Sequence, residues 1–169
     1  HIQTIVLDPG HGGKDPGAVS PGGLQEKALN LLVAKALKNH LQKQGYKVIL
    51  TRESDIFLSL SERVDVARRH DADLFISIHA NANRSRAVSG VEVYYLSPQR
   101  LDNPHRALRL ARARRFQNKT VPQDVAAILW DMTFSKNHSF SVEFSHVMYH
   151  NFKKLGFAVR PPKTAGFQV

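Results

Sequence analysis

Two histidines and a glutamate in the first half of the chain have the residue types and the placement for a metal site. His11 sits in Asp8-Pro9-Gly10-His11-Gly12-Gly13, His79 in Ser77-Ile78-His79-Ala80-Asn81, and Glu26 opens a helical run. Two imidazoles and a carboxylate are a set that zinc takes in catalytic sites. They leave a fourth position for a water whose pKa falls toward ~7. An open site of that kind suits hydrolysis. Each residue also has a plainer reading. A histidine at a strand end is commonly a hydrogen-bonded structural group, and a glutamate at a helix start complements the positive end of the helix dipole.

Other groups are weaker candidates. The glycines around His11 lack both the GxGxxG spacing and the lysine of a phosphate-binding loop. His146 and His150 stand four apart on a helical stretch, but residue 147 is valine where a zinc-protease motif has glutamate, so a surface or core pair is the simpler reading. Glu143 is a candidate base or ligand, and Glu92 a candidate carboxylate behind the ligands.

The elements that must position these residues follow from breakers and periodicity. Ile2 to Asp8 is a β-branched apolar run ended by Pro9-Gly10, which predicts a buried strand. Glu26 to Lys43 carries Leu29, Leu32, Val33, Ala36, Leu37 and Leu41 at helical spacing, and Gly45 stops it. Tyr46 to Thr51 reads as a second strand. Ser59 and Glu62 form a capping box that starts a helix running to about His70. Asp73 to His79 and Gly90 to Leu96 are the third and fourth strands. Pro104 to Asn118, Gln123 to Met132 and Ser141 to Leu155 read as helices, the last two separated by a break at Lys136-Asn137-His138. The tail holds Pro161-Pro162 and ends in a strand that begins as the chain stops. The fold class is therefore α/β: a mostly parallel sheet with flanking helices, opening βαβαβ, then a helical insertion after the fourth strand. In such sheets ligands bind at the carboxyl ends of the strands, where His11, Glu26 and His79 all fall.

With 169 residues the chain is about one domain long and able to bury a core. It has no cysteine, which excludes disulfides, thiolate metal sites and cysteine nucleophiles. No apolar run approaches the ~18 residues of a membrane span, and no signal-peptide pattern opens the sequence. The net charge of +10 is uneven: +2 over residues 1–99 and +8 over 100–169. The arginines at 106, 109, 112, 114 and 115 read as a solvated face or as a contact for a polyanion. They lack the interleaved aromatics of a nucleic-acid surface, and no nucleic-acid partner is expected.

The motifs resemble those of the zinc-dependent N-acetylmuramoyl-L-alanine amidases of bacterial cell-wall turnover. The matching pieces are Leu7-Asp8-Pro9-Gly10-His11-Gly12-Gly13-Lys14-Asp15-Pro16-Gly17-Ala18, Gly23-Leu24-Gln25-Glu26-Lys27 with Leu29-Asn30-Leu31, and Gly45-Tyr46 with Leu50-Thr51-Arg52. Ser77-Ile78-His79-Ala80-Asn81-Ala82 and Gly90-Val91-Glu92-Val93-Tyr94-Tyr95-Leu96 complete the series. They occur in family order over roughly residues 2–97.

The resemblance implies that His11, Glu26 and His79 bind Zn2+. It also implies that the enzyme cleaves the amide between the lactyl group of N-acetylmuramic acid and the L-alanine of the stem peptide. Peptidoglycan is then the substrate, and the periplasm or cell envelope the location. The family's proton-transfer glutamate lies on a late strand. Lys163 to Val169 resembles the stretch just before that strand, so a single catalytic domain over 1–169, truncated at its C-terminus, is expected, with the glutamate beyond Val169. In cell-division members an insertion after the fourth strand covers the zinc until an activator protein withdraws it. Residues 101–155 are similar in position and length, so a regulatory insertion and an activator partner are expected there.

Overall fold

The computed structural model describes residues 2–82, 89–97 and 123–165, with side chains in the last stretch from Lys136 onward. They fall into two compact units, the described residues up to 82 and those from 89 onward.

The first unit is built from β1 (Thr4–Pro9), α1 (Glu26–Lys43), β2 (Lys47–Leu50), α2 (Leu60–Arg69) and β3 (Leu74–Ile78). The three strands form one parallel sheet in the order β2-β1-β3, with Leu7 level with both Leu50 and Ile76. β1 is thus central, and the chain steps to one side of it through α1 and to the other through α2. The expected βαβαβ opening is present, and the strand order reverses between β1 and β3, the switch point at whose carboxyl ends such sheets bind their ligands.

Alternation along β1 assigns each face. Ile5 and Leu7 pack with Ala34 of α1 and with Val48 and Leu50, backed by Leu37, Leu41, Leu74, Ile76 and Ile78. Val6 and Asp8 point to the opposite face and are also buried. Burying this central strand on both faces explains its near-continuous apolar run.

The buried line of α1 differs from the leucine stripe expected from sequence. Its buried residues are Glu26, Asn30 and Ala34, continued by Leu37 and Leu41, whereas Leu32 and Val33 are exposed. The helix is rotated so that two polar side chains face the carboxyl end of the sheet, and small Ala34 lets it approach β1. α2 begins as expected: the Ser59 side chain accepts from the Glu62 amide while the Glu62 carboxylate accepts from the Ser59 amide.

The second unit holds β4 (Tyr94–Leu96), α3 (Gln123–Lys154) and β5 (Lys163–Ala165). β5 pairs parallel with β4, Tyr94 opposite Lys163, so these strands form a two-stranded sheet of their own. The fourth strand is shorter than expected, and Val91 makes only an isolated bridge to Val159. The break expected at Lys136-Asn137-His138 does not occur, and one helix of 32 residues runs through it. Gln123 to Lys154 contains neither glycine nor proline, and an asparagine lowers helix propensity by only a few tenths of a kcal/mol. Lys136 also lies over the ring of Phe140, one turn on, across the supposed break. The helix expected at Pro104 to Asn118 lies outside the described residues, as does much of the 101–155 insertion. No helix among the described residues is long and apolar enough to cross a membrane.

Candidate metal centre

His11 and His79 follow the adjacent ends of β1 and β3, where Gly10 donates its amide to the carbonyl of Ile78 at 3.0 Å. Glu26 is the first residue of α1. The three meet: one ligand atom from each lies within 4.8 Å of the others. Glu26 Oε2 is 3.3 Å from His11 Nε2, Glu26 Oε1 is 3.1 Å from His79 Nδ1, and the two imidazoles stand edge to face with centroids 4.9 Å apart. Glu26 is 6% exposed, His11 is partly buried and His79 is exposed, so the cluster is open on one side.

The buried carboxylate is held by amides. Ala18 donates to Oε2 at 2.9 Å, Ala80 to Oε1 at 3.0 Å and Asn30 Nδ2 to Oε1 at 3.4 Å. Burial works to raise the Glu26 carboxyl, but these donors and the neighbouring His11 outweigh it, so it lies below the usual carboxylate range. Asp15 accepts a hydrogen bond from His11 Nδ1 at 2.8 Å, and its other oxygen accepts from the Gly17 amide at 3.1 Å. These bonds hold its carboxyl below the ordinary value as well.

Two glycines make room for the rings. A Cβ on Gly10 would stand 2.2 Å from His79 Cε1, and one on Gly17 would stand 2.6 Å from His11 Cδ2 and 2.8 Å from Glu26 Oε2. His11 itself adopts φ 62°, a left-handed backbone that disfavours most side chains.

Two buried arginines fix this loop. Arg52 donates from Nε to the carbonyl of Pro9 and from Nη2 to the carbonyls of Gly10 and Lys27, each at 2.9 Å. Arg63 of α2 donates from Nη1 to Asp8 Oδ1 at 2.7 Å and to the Pro9 carbonyl at 3.0 Å, and from Nη2 to the His11 carbonyl at 2.9 Å. Asp8 further accepts from Thr51 and Ser77. Burial pushes the Arg52 guanidinium below its ordinary value; the Arg63 charge adds to this, while Asp55 and Asp8 oppose it. Sequence reading found the three candidate ligands and missed Asp15, Asn30, Arg52 and Arg63. Asp15, Asn30 and Arg52 fall inside the family-like motifs, which is the one signal the sequence carries for them, and Arg63 has none.

Glu92 and Glu143 belong to the second unit. The Glu92 carboxylate accepts from Tyr94 Oη at 2.8 Å and pairs with Arg160 Nη1 at 2.7 Å, and Glu143 is exposed on α3. His146 and His150 are exposed on the same helix.

The cluster fits a divalent metal of the first transition series by its donors. Among the described residues the buried Glu26 carboxylate faces two imidazoles and an amide, a set of donors that a bound cation would complete. The class is thus an open-sheet α/β protein with a candidate two-histidine, one-carboxylate centre at its switch point. Comparison with known proteins gives the family: residues 5–156 match N-acetylmuramoyl-L-alanine amidase, and the chain belongs to that family. It is 53% identical over 94 residues to the N-acetylmuramoyl-L-alanine amidase AmiC of Neisseria meningitidis serogroup B, covering 56% of this chain and 23% of that protein. The catalytic domain of CwlV, an amidase of Bacillus (Paenibacillus) polymyxa var. colistinus, superimposes with TM-score 0.64 at 28% identity, over 98% of this chain and 72% of that one. CwlD of Clostridioides difficile, solved in complex with the GerS lipoprotein, gives TM-score 0.54 at 30% identity, over 64% of each chain. The chain spans about a quarter or less of the length of the first curated relatives it matches.

Proposed function

We propose that this chain carries the zinc centre of a peptidoglycan amidase that cleaves the bond between N-acetylmuramic acid and the L-alanine of the stem peptide. The observation that supports this reading is the meeting of His11, Glu26 and His79 at the switch point, within a chain of the amidase family. These three residues would hold the ion. When bound, zinc would supply a Lewis acid for the scissile carbonyl and an acidified water. The chain's own residues set up the site. Glu26 offers one oxygen toward each imidazole, the Ala18 and Ala80 amides fix that carboxylate, and the exposed His79 side is where a large polymer can approach.

Peptidoglycan as substrate places the protein at the cell envelope, with cell-wall remodelling or daughter-cell separation as its role. The region 101–155, following β4, is proposed as a regulatory insertion on which an activator acts. The lipoprotein complex of CwlD is a relative's example of such a partnership. If removal of residues 101–142 leaves hydrolysis unchanged, that regulatory part is wrong.

The test of the central reading is bound zinc per chain by elemental analysis, on the parent and on His79→Ala, with release of stem peptides from muropeptides assayed on the same samples. Near-stoichiometric zinc that falls in the variant, together with peptide release, is expected. Zinc with binding but no release would make the chain a peptidoglycan-binding module. No zinc in folded protein offered the ion would overturn the metal assignment.

A further inference from the structure

The ligand histidine His11 has a carboxylate behind it that the family assignment does not explain. Asp15 Oδ2 lies 2.8 Å from His11 Nδ1, on the side of the ring away from Glu26, which faces Nε2 at 3.3 Å. Each ring nitrogen faces a carboxylate, which can only accept, but the contact to Asp15 is the shorter and is the one with hydrogen-bond geometry, so the single proton of the neutral ring belongs on Nδ1. That leaves Nε2 as the lone-pair nitrogen, the form an imidazole must take to bind a metal.

Asp15 is itself immobilised. Gly12 and Asp15 exchange two backbone hydrogen bonds, at 2.9 and 3.1 Å, across the turn that follows His11, and Oδ1 accepts from the Gly17 amide at 3.1 Å. Gly17 has φ 64°, and a side chain there would meet His11 and Glu26, so the residue that anchors Asp15 also leaves space for the two ligands. The loop from His11 to Gly17 thus carries a ligand, the group that orients it and the gap it occupies.

We propose that Asp15 is a positioning residue that locks His11 in its Nδ1–H tautomer and so presents Nε2 to the metal. The metal part rests on the zinc reading above; the tautomer does not. Free neutral imidazole does not favour Nδ1–H, so the locked form is a measurable departure.

The test uses the whole chain labelled with 15N-histidine, metal-free at pH 8, and reads the tautomer of His11 from two-bond 1H–15N correlations. It is paired with zinc affinity by chelator competition and with circular dichroism as a check of folding. The parent is expected to show Nδ1–H. In Asp15→Asn the amide oxygen keeps the Gly17 contact, which turns the amide NH2 toward His11 and forces Nε2–H. Zinc affinity should then fall about 10–100-fold with the fold intact. Asp15→Ala should lose the Nδ1–H preference and weaken zinc similarly. An Nε2–H tautomer in the parent, or folded variants that bind zinc within about twofold of the parent, would overturn the proposal. A parent that shows Nδ1–H and binds no zinc would instead defeat the zinc reading and leave the Asp15–His11 pair standing.

Discussion

Gly10 shows how narrowly the site is built at the scale of single residues. Its backbone lies against the His79 ring, and a methyl group there would stand 2.2 Å from Cε1. Gly10→Ala is therefore expected to displace His79 and weaken zinc at least ~10-fold, as loss of support around a ligand does, with the circular dichroism spectrum retained. Chelator competition measures it, and unchanged affinity would show that the ring moves freely. His11, Glu26 and His79 were legible because a breaker, a helix start and a strand end respectively set them at the carboxyl end of the sheet. Arg52 and Arg63 were not, because a guanidinium that clasps backbone carbonyls has no pattern of its own and reads as a solvated charge.

At the scale of elements, α2 is short, and its Arg63 carries the only described ion pair to Asp8, both nearly fully buried. Arg63→Ala would leave that carboxylate buried and unpaired. A loss of ~3–5 kcal/mol in urea unfolding is expected, with the double variant Asp8→Asn/Arg63→Ala recovering part of it. Ser59→Ala removes one arm of the capping box and should cost ~1 kcal/mol in the same measurement. Capping boxes and strand breakers are local, so α2 and the three strands of the first unit were readable. The orientation of α1 was not, because its inward line is headed by Glu26 and Asn30, and only the tertiary site gives polar residues a reason to face in. The continuity of α3 has the opposite origin: the weak local preference at Asn137 breaks nothing in a long stretch without glycine or proline.

For the whole molecule, acid is the sensitive direction. Among the described residues seven carboxyls lie below their ordinary values: Asp15, Glu26, Glu53, Asp55, Glu62, Asp73 and Glu92. The dominant favourable causes are hydrogen bonds, as with Asp73, which accepts from the amides of Gln3 and Thr4. The unfolded chain binds protons first as pH falls, so the stability these groups supply is present above about pH 4 and lost as pH drops through their folded values. The urea midpoint of the metal-free protein should be nearly level between about pH 6 and 7 and decline below about pH 4, less steeply in Asp73→Asn. A midpoint as high at pH 3 as at pH 6 would contradict it.

The order of the proposed ligands along the chain has a temporal meaning. His11, Glu26 and His79, with α1 and the three paired strands of the first unit, all begin before residue 80. At ~5–20 residues per second, a ribosome needs several seconds to add the 90 residues that follow in this chain. Once the first 79 residues are free of the ribosome, every proposed ligand and every strand of the first unit is already present. Ion capture can then precede completion of the polypeptide, and nascent chains arrested after β3 become objects in which metal loading can be watched separately from everything the second unit adds.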